Sequence, residues 1–119
     1  MGFGLRIKDA ITPRGQRVAI IPMEEALDAT VILEMRRQIQ QIMDFGYNNL
    51  ILNLSQVTSF DSSGIGILVS TLKLCRLAQG HMAICCVPDP VQLALEISSM
   101  DQIFAIFADE QEAITQFPH

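Results

Sequence analysis

The chain has 119 residues, half of them hydrophobic, 18% charged and 6% aromatic, and eight Lys/Arg against thirteen Asp/Glu give a net charge of −5. This is enough for one hydrophobic core and too little for two, so residues 1–119 read as a single domain. The apolar share excludes disorder, and no run approaches the roughly 18 apolar residues of a membrane span. Basic residues are scattered, with only Arg36-Arg37 adjacent, which argues against direct nucleic-acid binding and against an anionic membrane surface.

The start, Met1-Gly2-Phe3-Gly4-Leu5-Arg6, lacks the charged and apolar regions of a signal peptide, so a cytoplasmic location is expected. Leu5 to Ile7 and Arg17 to Ile21 read as two short strands, joined by a turn at Thr12-Pro13-Arg14-Gly15 and ended by Pro22. From Asp28 the period changes. Ile32, Met35, Ile39 and Ile42 recur at helical spacing, with Asp28 placed to cap the start and Gly46 to close the end.

Leu50 to Leu54 is a short apolar strand. A loop from Ser55 to Asp61 then leads into a helix that begins at Ser62-Ser63-Gly64, runs to about Ala78 and is closed by Gly80. His81 to Val87 is a further buried-type strand, stopped by Pro88-Asp89-Pro90. Val91 to Ser98 reads as a helix with Val91, Ala94 and Leu95 on its inner side and Leu93 and Ile97 off it. Ile103 to Phe107 is the last strand, and Asp109 to Phe117 a closing helix with acidic residues in its first turn. Strands alternating with helices give an α/β fold with a mixed, mainly parallel sheet, an N-terminal antiparallel hairpin and helices packed on the sheet. Cys75, Cys85 and Cys86 have no metal-ligand spacing and no even disulfide count, and their apolar neighbours mark them as small core residues in a reducing compartment.

The informative stretch is the loop after the Leu50 strand. It lies at a strand's carboxyl end, where open α/β sheets place their sites, and it ends at a helix N-terminus that favours an anion. The same residues also suit a plain structural role, with Asp61, Ser62 or Ser63 as helix cap and Gly64 and Gly66 as close-packing positions. Along the helix, Ile65, Leu68, Val69, Leu72 and Cys75 form the expected core stripe. Ile67 and Leu74, with Ser63, Gly66 and Ser70 nearby, lie outside it, as an apolar partner surface would or as a broad core helix would.

Asn53-Leu54, then Phe60-Asp61-Ser62-Ser63-Gly64-Ile65-Gly66, with Leu27-Asp28-Ala29-Thr30 before the first helix, resembles the STAS domain of bacterial anti-sigma factor antagonists. The resemblance in element order runs from about Leu5 to Phe117. It implies partner switching. The unphosphorylated chain binds an anti-sigma factor that is also a serine kinase, the kinase phosphorylates Ser62, and a metal-dependent serine phosphatase reverses the step. Ser63 ranks second as the acceptor. Joined to the helix face outside the core stripe, the resemblance gives an expected partner surface of Asp28, Asp61, Ser62, Ser63, Gly64, Gly66, Ile67, Ser70 and Leu74. Family members often carry Gly-Glu-Leu-Asp before the first helix where this chain has Glu24-Glu25-Ala26-Leu27-Asp28, so the glycine is missing while the Leu-Asp pair is kept.

Signals for catalysis are weak. There is no Gly-x-Ser-x-Gly elbow, and neither His81 nor His119 is placed as a base for Ser62. Gly64-Ile65-Gly66 lacks the third glycine of a dinucleotide fingerprint and the lysine of a nucleotide-binding loop. No cofactor, metal site or enzymatic activity is expected. The competing reading is a non-switching STAS scaffold or transporter-associated subunit that uses the same helix face.

Overall fold

The apolar runs of the sequence become strands covered on both faces. The structure, a computed structural model, describes residues 6–119. In chain order the elements are β1 (Lys8–Ile11), β2 (Arg17–Pro22), β3 (Ala26–Leu27), α1 (Ile32–Asp44), β4 (Leu50–Asn53), β5 (Ser59–Phe60) and α2 (Ser62–Leu77). They continue with β6 (Met82–Cys85), α3 (Asp89–Ile97), a 3-10 turn at Met100–Gln102, β7 (Ala105–Phe107) and α4 (Glu110–Thr115). The main sheet has the order β1-β2-β4-β6-β7, with β1 antiparallel to β2 and every other pairing parallel. Strands β3 and β5 form a separate parallel pair.

Alternation along the strands divides the core in two. Ala19, Ile21, Leu50, Leu52, Met82 and Ile84 face α1, α2 and α3, meeting Met35, Ile39, Leu68, Leu72 and Leu95. Their neighbours Val18, Ile20, Ile51, Ala83 and Cys85 face the opposite way, onto Ala113 of α4 and Phe117 beyond it. Each fully buried Leu or Ile contributes roughly 1.5–3 kcal/mol, so the sheet's two faces carry most of the fold's stabilisation. No helix among the described residues is long and apolar enough to cross a membrane.

The hairpin turn forms as expected, with Gly15 at φ +86° and its N–H donating to the Thr12 carbonyl at 2.8 Å. The first strand is displaced from the expected Leu5–Ile7 to Lys8–Ile11, and Leu5 lies outside the described residues. An edge strand pairs on one side only and tolerates exposed polar residues, so Lys8 and Asp9 hid it from a search for apolar runs. Gly46, at φ +105°, follows α1 as expected. Asp28 does not cap that helix, because Val31 holds the cap position. Its carboxylate instead accepts the Thr30 N–H at 3.0 Å, a local turn that takes the side chain elsewhere.

Two further glycine and proline readings change. The left-handed residue after α2 is Gln79, at φ +63°, not Gly80. Gly80 is required by proximity, since a Cβ there would sit 1.8 Å from the Asn48 carbonyl oxygen. Pro88-Asp89-Pro90 belongs to the start of α3, with Pro88 as cap and Pro90 inside the first turn, where a missing N–H costs nothing. The last strand begins at Ala105 because the 3-10 turn and its left-handed Ser99 occupy the preceding residues.

Candidate functional site

Strand β4 ends at Asn53, whose side chain redirects the chain. Its Oδ1 accepts the Ser55 N–H at 2.9 Å, and its Nδ2 donates to Glu110 of α4 at 2.6 Å. The following residues curl beside β3, with the Thr58 and Ser59 N–H groups both donating to the Glu25 carbonyl, at 2.8 and 3.0 Å. The β3–β5 pair then carries the chain to Asp61. No sequence signal marked these two-residue strands, because pairs so short carry no readable period.

Asp61 caps α2, its carboxylate accepting the Ser63 N–H at 2.8 Å. Ser62 occupies the first helical position and is exposed, while Ser63 is half-buried. Gly64 is buried against the short pair. A Cβ there would lie 2.3 Å from the Leu27 carbonyl oxygen and 2.7 Å from the Phe60 ring. Asp28 is drawn to the same place from the other strand, since its second carboxylate oxygen accepts the Ser59 hydroxyl. Hydrogen bonds from Ser59, then from the Thr30 hydroxyl and N–H, hold the Asp28 carboxyl below its ordinary range. Ser59 is the site residue that sequence reasoning missed. A serine two residues before the cap is an ordinary loop residue until the β3–β5 pairing sets it beside Asp28.

Thus Asp28, Asp61, Ser62, Ser63 and Gly64 converge at one end of α2. The remaining predicted residues spread along the helix. The stripe that faces the core is Gly64, Ile67, Leu68, Thr71, Leu72 and Cys75, rotated from the expected one. Ile67 is fully buried and offers nothing to a partner, whereas Ile65 and Val69 are only partly buried. Thr71 caused the misreading. Its hydroxyl donates to the Ile67 carbonyl at 2.7 Å, so a nominally polar residue enters the core with its hydrogen bond satisfied within the helix.

Gly66 meets nothing within 4 Å of a notional Cβ, so it leaves a flat outer patch rather than a packing contact. Ser70 is half-buried, its hydroxyl donating to the Ile67 carbonyl at 3.1 Å. Leu74 lies twelve residues beyond Ser62, about 18 Å along the axis at the helical rise. It lines a cleft of about 540 Å³ with Met43, Tyr47 and Leu77, between the far ends of α1 and α2. The arrangement therefore offers one exposed hydroxyl on a capped helix start, beside a partly apolar outer face. Among the described residues, no group of three His, Cys, Asp or Glu side chains is placed to hold a metal ion.

The class of protein follows from fold and sequence together. The STAS domain family model matches residues 9–113, and the chain belongs to that family. Among relatives, the anti-sigma F factor antagonist of Paenibacillus polymyxa is 34% identical over 68 residues, covering 57% of this chain and 58% of that protein. The crystal structure of the Thermotoga maritima protein TM1081 superposes with a TM-score of 0.77 at 25% identity, covering 90% of each chain. The anti-sigma factor antagonist SpoIIAA of Bacillus, in its unphosphorylated form, shares the fold with a TM-score of 0.71 at 19% identity, over 92% of this chain and 93% of that one. A structure of SpoIIAA in its phosphorylated form shares it as well, with a TM-score of 0.64, over 92% of this chain and 96% of that one.

Proposed function

We propose that this chain is an anti-sigma factor antagonist whose binding is switched by phosphorylation of Ser62. The observation that carries this reading is the exposed Ser62 at the first position of α2, directly after the capping Asp61, in a chain of the STAS family. Ser63 is half-buried and less open to a kinase, which favours Ser62 between the two hydroxyls. In this reading the unphosphorylated chain binds an anti-sigma factor with serine kinase activity. The kinase transfers a phosphoryl group from ATP to Ser62, and a metal-dependent serine phosphatase removes it.

The physics of the switch is local. A phosphate adds about −1.5 to −2 charge at neutral pH and three acceptor oxygens. The positive end of a sixteen-residue helix stabilises that charge, so the fold survives modification. Binding does not. At a contact beside Gly66 and the partly apolar outer face, the phosphate must shed water with Asp61 adjacent, which is costly without a paired cation.

The test is incubation with an anti-sigma serine kinase and ATP, followed by intact mass and peptide mapping. One phosphate on Ser62 and none on the Ser62→Ala variant supports the reading. Phosphate on Ser63 alone, or none with any related kinase, rejects it.

A further inference from the structure

Consecutive side chains in a strand point to opposite faces, so adjacent cysteines normally hold their sulfurs well apart. Cys85 and Cys86 break that pattern. Cys85 is the last residue of β6 and is fully buried. Cys86 follows at φ +60°, a left-handed conformation that is unfavourable for any residue with a Cβ. This bend swings the second side chain back toward the first. The two Sγ atoms lie 3.3 Å apart, with the Cys86 thiol donating to the Cys85 sulfur. Cys86 itself is only half-buried and sits at the rim of the smaller core. The pair stands at the strand ends from which the Ser62 loop departs, since the Leu54 N–H donates to the Cys85 carbonyl at 3.0 Å.

We propose that Cys85 and Cys86 form a two-electron redox couple that closes to a disulfide between adjacent residues when the chain meets a peroxide. Burial pushes the Cys85 thiol up, whereas Cys86 is half-buried and open to a peroxide from solvent, so Cys86 is the attacking group. The Cys86 thiolate attacks one peroxide oxygen. The O–O bond breaks, and a Cys86 sulfenic acid forms as hydroxide leaves and takes up a proton. The Cys85 sulfur then attacks the Cys86 sulfur, and its proton departs with the displaced hydroxyl as water. In sum, two thiols and one hydrogen peroxide give one disulfide and two waters. Adjacent Cα atoms are about 3.8 Å apart, below the span of an unstrained disulfide, so the closed ring is readily reduced again by a dithiol.

The test uses the full chain, reduced and freed of reductant, then treated with hydrogen peroxide, unfolded in alkylating reagent and weighed intact. The couple predicts the loss of two hydrogens and one alkylatable cysteine in place of three. Peptide mapping should place the link at Cys85–Cys86, and dithiothreitol should reverse it fully. Cys86→Ser should abolish the two-hydrogen loss, and Cys75→Ser should leave it unchanged. Three alkylatable cysteines after treatment, a sulfinic acid on Cys86 with Cys85 still alkylatable, or a disulfide joining two chains would each overturn the proposal.

Discussion

Helices α2 and α4 start in the same way and then diverge. Each is capped by an aspartate in extended conformation, Asp61 accepting from Ser63 N–H and Asp109 from Glu112 N–H, both at 2.8 Å. In α4 the first turn supplies its own anions, Glu110 and Glu112, and Glu112 reaches back to the Ala108 N–H at 3.0 Å. That is close to a reciprocal capping box, and it satisfies the positive end of the helix from within. In α2 the corresponding third position is Gly64, and the first turn contains no acidic residue. Packing explains the difference, because any side chain at Gly64 would run into the Leu27 carbonyl. The contact that seats α2 on the β3–β5 pair is therefore the one that denies it a box and leaves its first turn neutral. A helix start of that kind has room for a charge delivered from outside.

The largest effect should come from supplying that charge. Moving a complex from mostly bound to mostly free, about 99:1 to 1:99, takes roughly 5.5 kcal/mol. Ser62→Ala should bind the anti-sigma partner constitutively, and Ser62→Asp should bind poorly, in an isothermal titration. The urea midpoint of Ser62→Asp should meanwhile stay near that of the parent, since an acid in the first turn changes helix stability by only about 0.3–1 kcal/mol. Equal affinities of the two variants would break the contrast between the neutral first turn of α2 and the acidic first turn of α4.

Next in size is a pair of glycines two residues apart. Gly64→Ala must push Leu27 and Phe60 aside, an overpacking expected to cost about 1–3 kcal/mol in chemical denaturation. Gly66 has open space around it, so Gly66→Ala should instead stabilise the helix by about 0.5–1 kcal/mol. If Gly66 lies under the partner, the same variant should weaken binding while raising stability. A loss of stability at both positions would show that the outer face of α2 is not open as described.

The caps offer a smaller and more direct comparison. Asp61→Ala and Asp109→Ala should each cost about 1 kcal/mol in the unmodified chain. After phosphorylation of Ser62 the cost of Asp61→Ala should fall, because the variant also removes a neighbouring like charge, whereas that of Asp109→Ala should not change. Stability curves of the parent and both variants, each with and without phosphate, make the check.

These contrasts also show where the sequence could be read and where it could not. The strands Arg17–Pro22, Leu50–Asn53 and Met82–Cys85 were legible because a sheet covered on both faces demands apolar runs. A cap at Asp61, Ser62 or Ser63 was legible because cap chemistry is local, and the structure selects Asp61. The rotation of α2 was not, since Ile65, Ile67, Leu68 and Val69 are all apolar and only the internal hydrogen bond of Thr71 breaks the tie. Nor was the role of Asp28. It depends on Ser59, thirty-one residues away, brought close by a pairing of two residues on each side.

That long-range link supplies the finest prediction. In the folded chain Asp28 ionises below its ordinary range because Ser59 and Thr30 donate hydrogen bonds to the carboxylate. A carboxyl with a lowered folded pKa adds stability only while it is charged. The contribution is complete above the unfolded value, about pH 4, and drains away as pH falls through the folded value. Asp28→Asn cannot ionise, so it should begin less stable near neutral pH and lose less on acidification. Urea midpoints of parent and variant should therefore converge below about pH 4. Because Asp28 is only half-buried, the gap should be small, and it should shrink in a Ser59→Ala, Thr30→Ala background, where only the backbone N–H of residue 30 still donates. Parallel curves across the whole range would mean that the hydrogen bonds to Asp28 do not form in solution.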